Sequence, residues 1–488
     1  MSSIIFIYNS IAVMKYKFKL ILLLFLTSWL TACGDADEGP IAQPPASKGE
    51  VDFWLTNADK SVLFTKQSGA INFKSGTNSF PTITIDTTTT YQQIDGFGFT
   101  LTSGSAQVLS QMGNSTRSQL LKELFGDTET NIGISYLRLN IGASDLSANV
   151  YSYNDLPAGQ TDPTLANFSL EPDRAYYLPV LKEILAINPA IKLLATPWSP
   201  PTWMKTNNST IGGNLKSEYY DAYALYLVKY IQAMRAEGIT IDAITLQNEP
   251  LHDGNNPSMY MSAADQASFI KNNIGPALQQ AGLTTKIIIY DHNADKPEYP
   301  LAILNDAQAK PYVDGSAFHL YAGDISALSQ VRTAHPDKNI YFTEQYTGTS
   351  GSFGGDLSWH TKNLIVGATR NWSRNVLEWN LAANQNNGPY TNGGCNTCLP
   401  GVTIGNSVTR NVAYYIIAHA SKFVRPGSVR VASNITGSLQ NVAFKTPDGK
   451  KVLIVLNEGT AAQSFNIAYK GKLATATLNG GAVGTFVW

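Results

Sequence analysis

The sequence predicts a (β/α)8 barrel carrying a side β-sandwich, and three observations support this. Eight short apolar runs rich in β-branched residues alternate with stretches of helical spacing through the middle of the chain. Runs of strand character without helical signals stand on both sides of that region. Polar and aromatic residues gather just past the ends of seven of the eight central runs, the end at which a parallel barrel keeps its chemistry.

In chain order, Lys15, Lys17 and Lys19 precede an apolar run from Leu20 to Leu30, which leads into Thr31-Ala-Cys33-Gly34. A basic stretch, a short apolar stretch and small residues before a cut describe a secretory leader. The run is too short to span a bilayer comfortably. Leu30-Thr-Ala-Cys33 resembles a bacterial lipobox, which implies cleavage before Cys33, a lipid on its thiol, and an exported lipoprotein facing the periplasm or cell surface. Residues 1–13 read as an upstream extension with Met14 as the start, and residues 34–50, rich in Asp, Pro, Ala and Ser, as a flexible tether.

Residues 51–93 read as the first strands of the sandwich: Val62–Thr65, Ala70–Phe73 and Pro81–Asp86, followed by a β-prone Thr87–Thr90. The barrel is expected over residues 94–424. Its strands are expected at 94–100, 134–140, 191–198, 239–247, 286–292, 315–321, 340–344 and 375–380. Helices are expected at 105–125, 173–186, 217–238, 264–281, 357–370 and 408–423. The clearest is 217–238, where Tyr220, Tyr223, Ala224, Leu227, Tyr230 and Ile231 keep one face and Gly238 stands at the C-cap. Residues 425–488 return to strands at 428–432, 440–444, 451–457, 464–468 and 484–488, with Pro447-Asp-Gly-Lys as a hairpin turn. Strands from both ends are expected to build one sandwich.

With 488 residues, 43% hydrophobic and a net charge of −1, the chain has length for more than one domain and no electrostatic case for nucleic acid or an anionic membrane surface. Membrane association is expected through the lipid anchor alone. After Cys33 only Cys395 and Cys398 remain. A zinc site needs about four ligands, and a redox motif should open a helix. Gly393-Gly394 ahead of the pair argue for a loop, so a disulfide clip is expected and no metal.

The strand tips carry Asp145, Trp198, Asn248-Glu249, Asp291-His292-Asn293, His319, Tyr321, Glu344 and Glu378-Trp379-Asn380. Each alone reads more readily as a satisfied structural residue; a barrel, however, points these ends into one pocket. Two carboxylates flanking one bond are the usual equipment of glycoside hydrolysis, and a separation of about 5–5.5 Å leads to the retaining route. Asn248 and Asp145 suit sugar hydroxyls, and Trp198 and Trp379 offer faces for a sugar ring. Arg138 lies in a buried stretch where a lone cation is costly, so it is expected to pair with Glu344 and hold that carboxyl's pKa low. Glu249 has no cation beside it in sequence, and a less polar setting is expected to raise its pKa.

Five stretches, Leu193–Thr206, Asn167–Leu170, Thr245–Pro250, Phe342–Glu344 and Glu378–Leu381, resemble glycoside hydrolase family 30, whose members include lysosomal glucosylceramidase and microbial β-1,6-glucanases. The resemblance implies a retaining barrel with a side sandwich and no cofactor. Glu249 is implied as acid/base and Glu344 as nucleophile. Asp145, Trp198, Asn248, His319, Tyr321 and Trp379 are implied to line the glucose subsite. The loop carrying Cys395 and Cys398 departs from the lysosomal enzyme, which points away from ceramide and towards a β-glucan, polysaccharide or oligosaccharide, most of all one with β-1,6 bonds. Glucosylceramide-like or xylan-type β-glycosides are the alternatives within the class. A glycan-binding lipoprotein without catalysis is the alternative outside it; such a protein would keep the tryptophans without needing both carboxylates.

Overall fold

The structure, a computed structural model, describes residues 49–128 and 130–488. The leader, Cys33 and nearly all of the tether lie outside the described residues. The barrel strands are β1 (Gly96–Leu101), β2 (Tyr136–Ile141), β3 (Lys192–Pro197), β4 (Ala243–Thr245), β5 (Lys286–Ala294), β6 (Val313–Gly323), β7 (Asn339–Glu344) and β8 (Asn375–Asn380). All neighbouring pairs run parallel in the order β7-β6-β5-β4-β3-β2-β1-β8. The circle closes between β7 and β8, where the Arg374 N–H donates to the Ile340 carbonyl and the Phe342 N–H to the Asn375 side chain, both at 2.9 Å.

Side chains fill the barrel in layers, because residues two apart on a strand share a face. Tyr136, Leu194, Ala243, Ile288, Ala317, Tyr341 and Leu377 form one apolar layer. Two residues further along, Arg138, Thr196, Thr245 and Thr343 replace apolar groups with polar ones, so the core turns hydrophilic towards the strand C-termini. Register irregularities interrupt the alternation near the tips of β5, β7 and β8. A bulge lets consecutive residues reach the same side. It does so for Thr343 and Glu344, both of which bond groups of the barrel interior.

The sandwich is built from both ends of the chain. The strand Val483–Val487 lies between Asp52–Thr56 and Lys451–Asn457. The 12-residue strand Thr82–Gln93 pairs with Gln463–Tyr469 along its first half and with Val429–Ser433 along its second. That double pairing folds one nine-stranded sheet over a core containing Phe53, Ile83, Ile85, Leu453, Val455, Phe465, Ile467 and Phe486.

Several elements differ from expectation. The helix expected over 105–125 is two, Ser103–Ser110 and Asn114–Phe125, with Gly113 as the N-cap of the second. The one expected over 173–186 is likewise split, into Glu171–Arg174 and Tyr177–Ile187. Residues 408–410 are a strand, and the helix there is Val412–Ser421. Residues 70–73 form only an isolated bridge, Ile71 to Val51. Strands Asp52–Thr56 and Lys472–Leu478 were not expected; the second buries mainly small residues, Ala474 and Ala476, and so carries little apolar signal.

Candidate active site

At the C-terminal mouth of the barrel lies a cavity of about 370 Å³, lined in part by Asp145, Trp198, Asn248, Glu249, Tyr321, Glu344 and Trp379. The tip past β4 is held by backbone bonds on both sides: Asn248 N–H to Pro197 O at 2.8 Å and Glu249 N–H to Asp291 O at 3.0 Å. Glu249 itself sits at φ +46°, and Tyr290 and Asp291 on β5 at +73° and +63°. Residues other than glycine avoid this region, and such strain collects at functional sites when the surroundings enforce it.

Arg138, fully buried, is the hub. One terminal nitrogen donates to Glu344 Oε2 at 2.5 Å, the other to Asn248 Oδ1 at 2.6 Å and Asp291 Oδ2 at 2.9 Å, and its Nε to Thr196 Oγ1 at 3.3 Å. Its guanidinium lies 4.8 Å from the Trp198 ring centroid and 5.8 Å from that of Trp379. Because Asn248 turns its oxygen to Arg138, its amide N–H groups are left for a ligand. Asp291 also accepts from Thr245 at 2.8 Å and Thr343 at 2.6 Å. Burial pushes its pKa up, but Arg138 and His319 more than offset this and hold it far below the usual carboxylate range.

His319 lies beneath the cavity rather than on its wall. It is fully buried, with Nδ1 3.2 Å from Glu249 Oε1 and Nε2 3.1 Å from Asp291 Oδ1. It was expected to line a sugar subsite; here it stands behind two lining carboxylates, Glu249 and, at 3.8 Å, Glu344. Burial alone would lower its pKa, yet the negative charges of Glu344, Asp291 and Glu249 raise it to about 9. At neutral pH it is an imidazolium donating at both nitrogens. A carboxylate oxygen of Glu249, one of Glu344 and a ring nitrogen of His319 lie within 4.8 Å of one another. Such a trio has the right donors for a metal.

The Tyr321 hydroxyl donates to Glu344 Oε1 at 3.0 Å, so both oxygens of that carboxylate are held. Burial raises Glu249, but the hydrogen bond and charge of His319 bring it below its ordinary value. Burial raises Glu344, and the charges of Glu249 and Asp291 keep it raised despite His319 and Arg138. Both directions are the reverse of those expected from the sequence. The sequence argument counted Arg138 but not the imidazolium against Glu249, nor Asp291 competing for the same guanidinium.

Asp145 is pushed up to about 7, first by burial and then by the charge of Glu344; its hydrogen bond to a side-chain oxygen is a 3.4 Å contact from the Cys395 N–H. Cys395 and Cys398 form a disulfide, with Cα atoms 5.6 Å apart, and its residues pack with Trp198 and Trp379 on the cavity wall. Their loop is pinned to the loop after β2: the Thr391 N–H donates to the Asp145 carbonyl at 2.8 Å, and a Cβ on Gly394 would stand 2.2 Å from that oxygen. Glu378 turns the other way, accepting from His360 at 2.7 Å, and Asn380 accepts from Ser105 and Thr102. Asp291, His292 and Asn293 were expected at a strand tip without a role, and His252, Asn255 and Tyr346 were not singled out; all but Asp291 line the cavity. Position at the tip of β5 and just past β4 and β7 was the available signal.

These features define a glycoside hydrolase, and comparison places the chain within it. The glycosyl hydrolase family 30 TIM-barrel domain matches residues 94–424, and the family's β-sandwich domain matches residues 427–486. The chain belongs to glycoside hydrolase family 30 and is a glycosidase. It is 38% identical over 408 residues to an endo-1,6-β-D-glucanase of Neurospora crassa, covering 78% of this chain and 83% of that one. With the lysosomal acid glucosylceramidase of Mus musculus it shares 28% over 435 residues, 82% of this chain and 81% of the relative. A solved endo-β1,6-glucanase superposes with a TM-score of 0.84 at 35% identity, covering 90% of this chain and 100% of that one.

Proposed function

We propose that the protein hydrolyses β-1,6-linked glucan with retention at the anomeric carbon. Glu344 serves as nucleophile and Glu249 as acid/base. The observation that carries the mechanism is the approach of the two carboxylates to within 4.8 Å across one cavity, too close for a water between base and sugar. The linkage rests on the relatives: three at 36–38% identity are endo-1,6-β-D-glucanases.

A Glu344 oxygen attacks the anomeric carbon while the bond to the leaving oxygen breaks and Glu249 delivers a proton to that oxygen. Water then attacks the same carbon, gives a proton to Glu249, and releases Glu344. A bound sugar brings an electron-poor carbon to Glu344 and a glycosidic oxygen to Glu249. Arg138 and Tyr321 hold both oxygens of Glu344 in place as it gains and loses its covalent bond. The leader and Cys33 add a location: an exported lipoprotein acting on glycan outside the cytoplasm.

The test is hydrolysis of β-1,6-, β-1,3- and β-1,4-glucans, xylan and glucosylceramide, with products resolved by chain length. Preferential release from β-1,6-glucan is expected, and preference for another substrate overturns the linkage. Glu344→Ala should lose activity and, with azide and an aryl glucoside, yield the α-glucosyl azide. Glu249→Ala should yield the β-azide. The opposite stereochemistry would exchange the two roles. Cys33→Ser should release the protein from the membrane fraction.

A further inference from the structure

Strand β4, whose following turn carries Glu249, and β7, which ends in Glu344, divide the barrel mouth into two unequal arcs. The larger arc, β8-β1-β2-β3, supplies Trp379, Asp145 and Trp198, with exposures of 4%, 7% and 1%, and is walled by the disulfide loop. This side is closed and deep. The smaller arc, β5 and β6, together with the loop just past Glu249, supplies His292, Asn293, Tyr321, His252 and Asn255. It is open: Tyr321 is 37% exposed and His252 is exposed.

The polar residues on the open side line the cavity. His292 Nδ1 accepts the Leu251 N–H at 3.3 Å, which fixes the tautomer and puts the ring's remaining N–H on Nε2, where no described residue meets it. Burial holds His292 neutral, with a pKa lowered to about 4, so that nitrogen is an uncharged donor. Asn255 donates to Glu249 Oε2 at 3.4 Å, the carboxylate oxygen other than the one His319 holds.

We infer that His292 and Asn255, flanked by His252, form the subsite for the leaving group, and that this subsite selects a sugar rather than a lipid. Resting on the assignment of Glu249 as acid/base, the inference names what that residue protonates. An acyl chain would leave the His292 N–H and the second N–H of the Asn255 amide without partners, at a cost that disfavours it. A sugar offers hydroxyls to both. A β-1,6 bond places one extra methylene between the leaving oxygen and its ring, which carries that ring out towards the open arc.

The experiment compares kcat/KM on a β-1,6-linked glucose disaccharide and on nitrophenyl β-glucoside, whose leaving group needs no sugar contacts and little protonation. His292→Phe and Asn255→Ala should each lower the disaccharide value at least tenfold more than the aryl value. Equal losses on the two substrates, or a larger loss on the aryl glucoside, overturn the subsite. Failure of the Glu249 assignment reads out separately: Glu249→Ala would then give no β-glucosyl azide, whatever the histidine variant does. Circular dichroism and melting of each variant exclude misfolding as the source of an equal loss.

Discussion

Arg138 donates to Glu344 at 2.5 Å and to Asp291 at 2.9 Å through different guanidinium nitrogens, so one buried cation serves two carboxylates. Among the described residues the one other cationic group in contact with either carboxylate is His319, which touches Asp291 directly and lies 3.8 Å from Glu344.

Removing the cation leaves two buried anions. Arg138→Gln is expected to lower stability by about 3–5 kcal/mol, the usual cost of breaking a buried pair. It should reduce kcat by roughly two orders of magnitude or more, as Glu344 loses its orientation and takes up a proton more readily. Denaturant titration and aryl-glucoside kinetics measure the two; a variant melting with the wild type would show that Arg138 is not the hub.

His319 couples the fold to alkaline pH. Its pKa is raised in the fold, from 6.5 to about 9, so its stabilisation is full below pH 6.5 and is lost as pH rises through 9. The span is on the order of 3 kcal/mol. Lys205 works against it over part of that range, since burial lowers it to about 7 and its penalty fades as pH rises. The clean measurement is therefore a difference: His319→Gln should lose the downward slope between pH 7 and 9 that the wild type shows relative to it.

Asp145 presents a trade between stability and activity. Its pKa is raised from 3.8 to about 7, so the ionised form is disfavoured in the fold and stability falls as pH rises from 3.8 through 7. Asp145→Asn has no such loss. It should unfold at higher denaturant than the wild type at pH 8 while hydrolysing β-glucosides at least tenfold more slowly. Lower stability at pH 8 would count against the burial argument.

Gly394 tests the wall beside Asp145. A Cβ there would press on the Asp145 carbonyl at 2.2 Å and on Thr391. Gly394→Ala should raise KM about tenfold, equivalent to about 1.4 kcal/mol of binding, with kcat changed less. Gly113→Ala, whose added Cβ meets nothing within 4 Å, is the control.

The barrel was legible because its strands are short apolar runs ending in polar tips, a contrast that periodicity detects. Glu249 and Glu344 stood out for the same reason. What escaped was set by local irregularity. Strict alternation does not anticipate the bulge at Tyr290–His292, with both Tyr290 and Asp291 at positive φ, that brings Asp291 to Arg138. The titration order of the glutamates escaped because it depends on His319, whose place between Glu249 and Asp291 follows from tertiary packing. The break at Gly113 and the small-residue strand at 472–478 were hidden by weak signals rather than misleading ones.

The sandwich places residues 483–487 between residues 52–56 and 451–457. A growing chain therefore holds its earliest strand without a neighbour on that side until almost everything else has been synthesised, and the sheet completes only then. Contacts so distant in sequence slow assembly. They also tie the two ends into one cooperative unit, so trimming either flank should unzip the same seam.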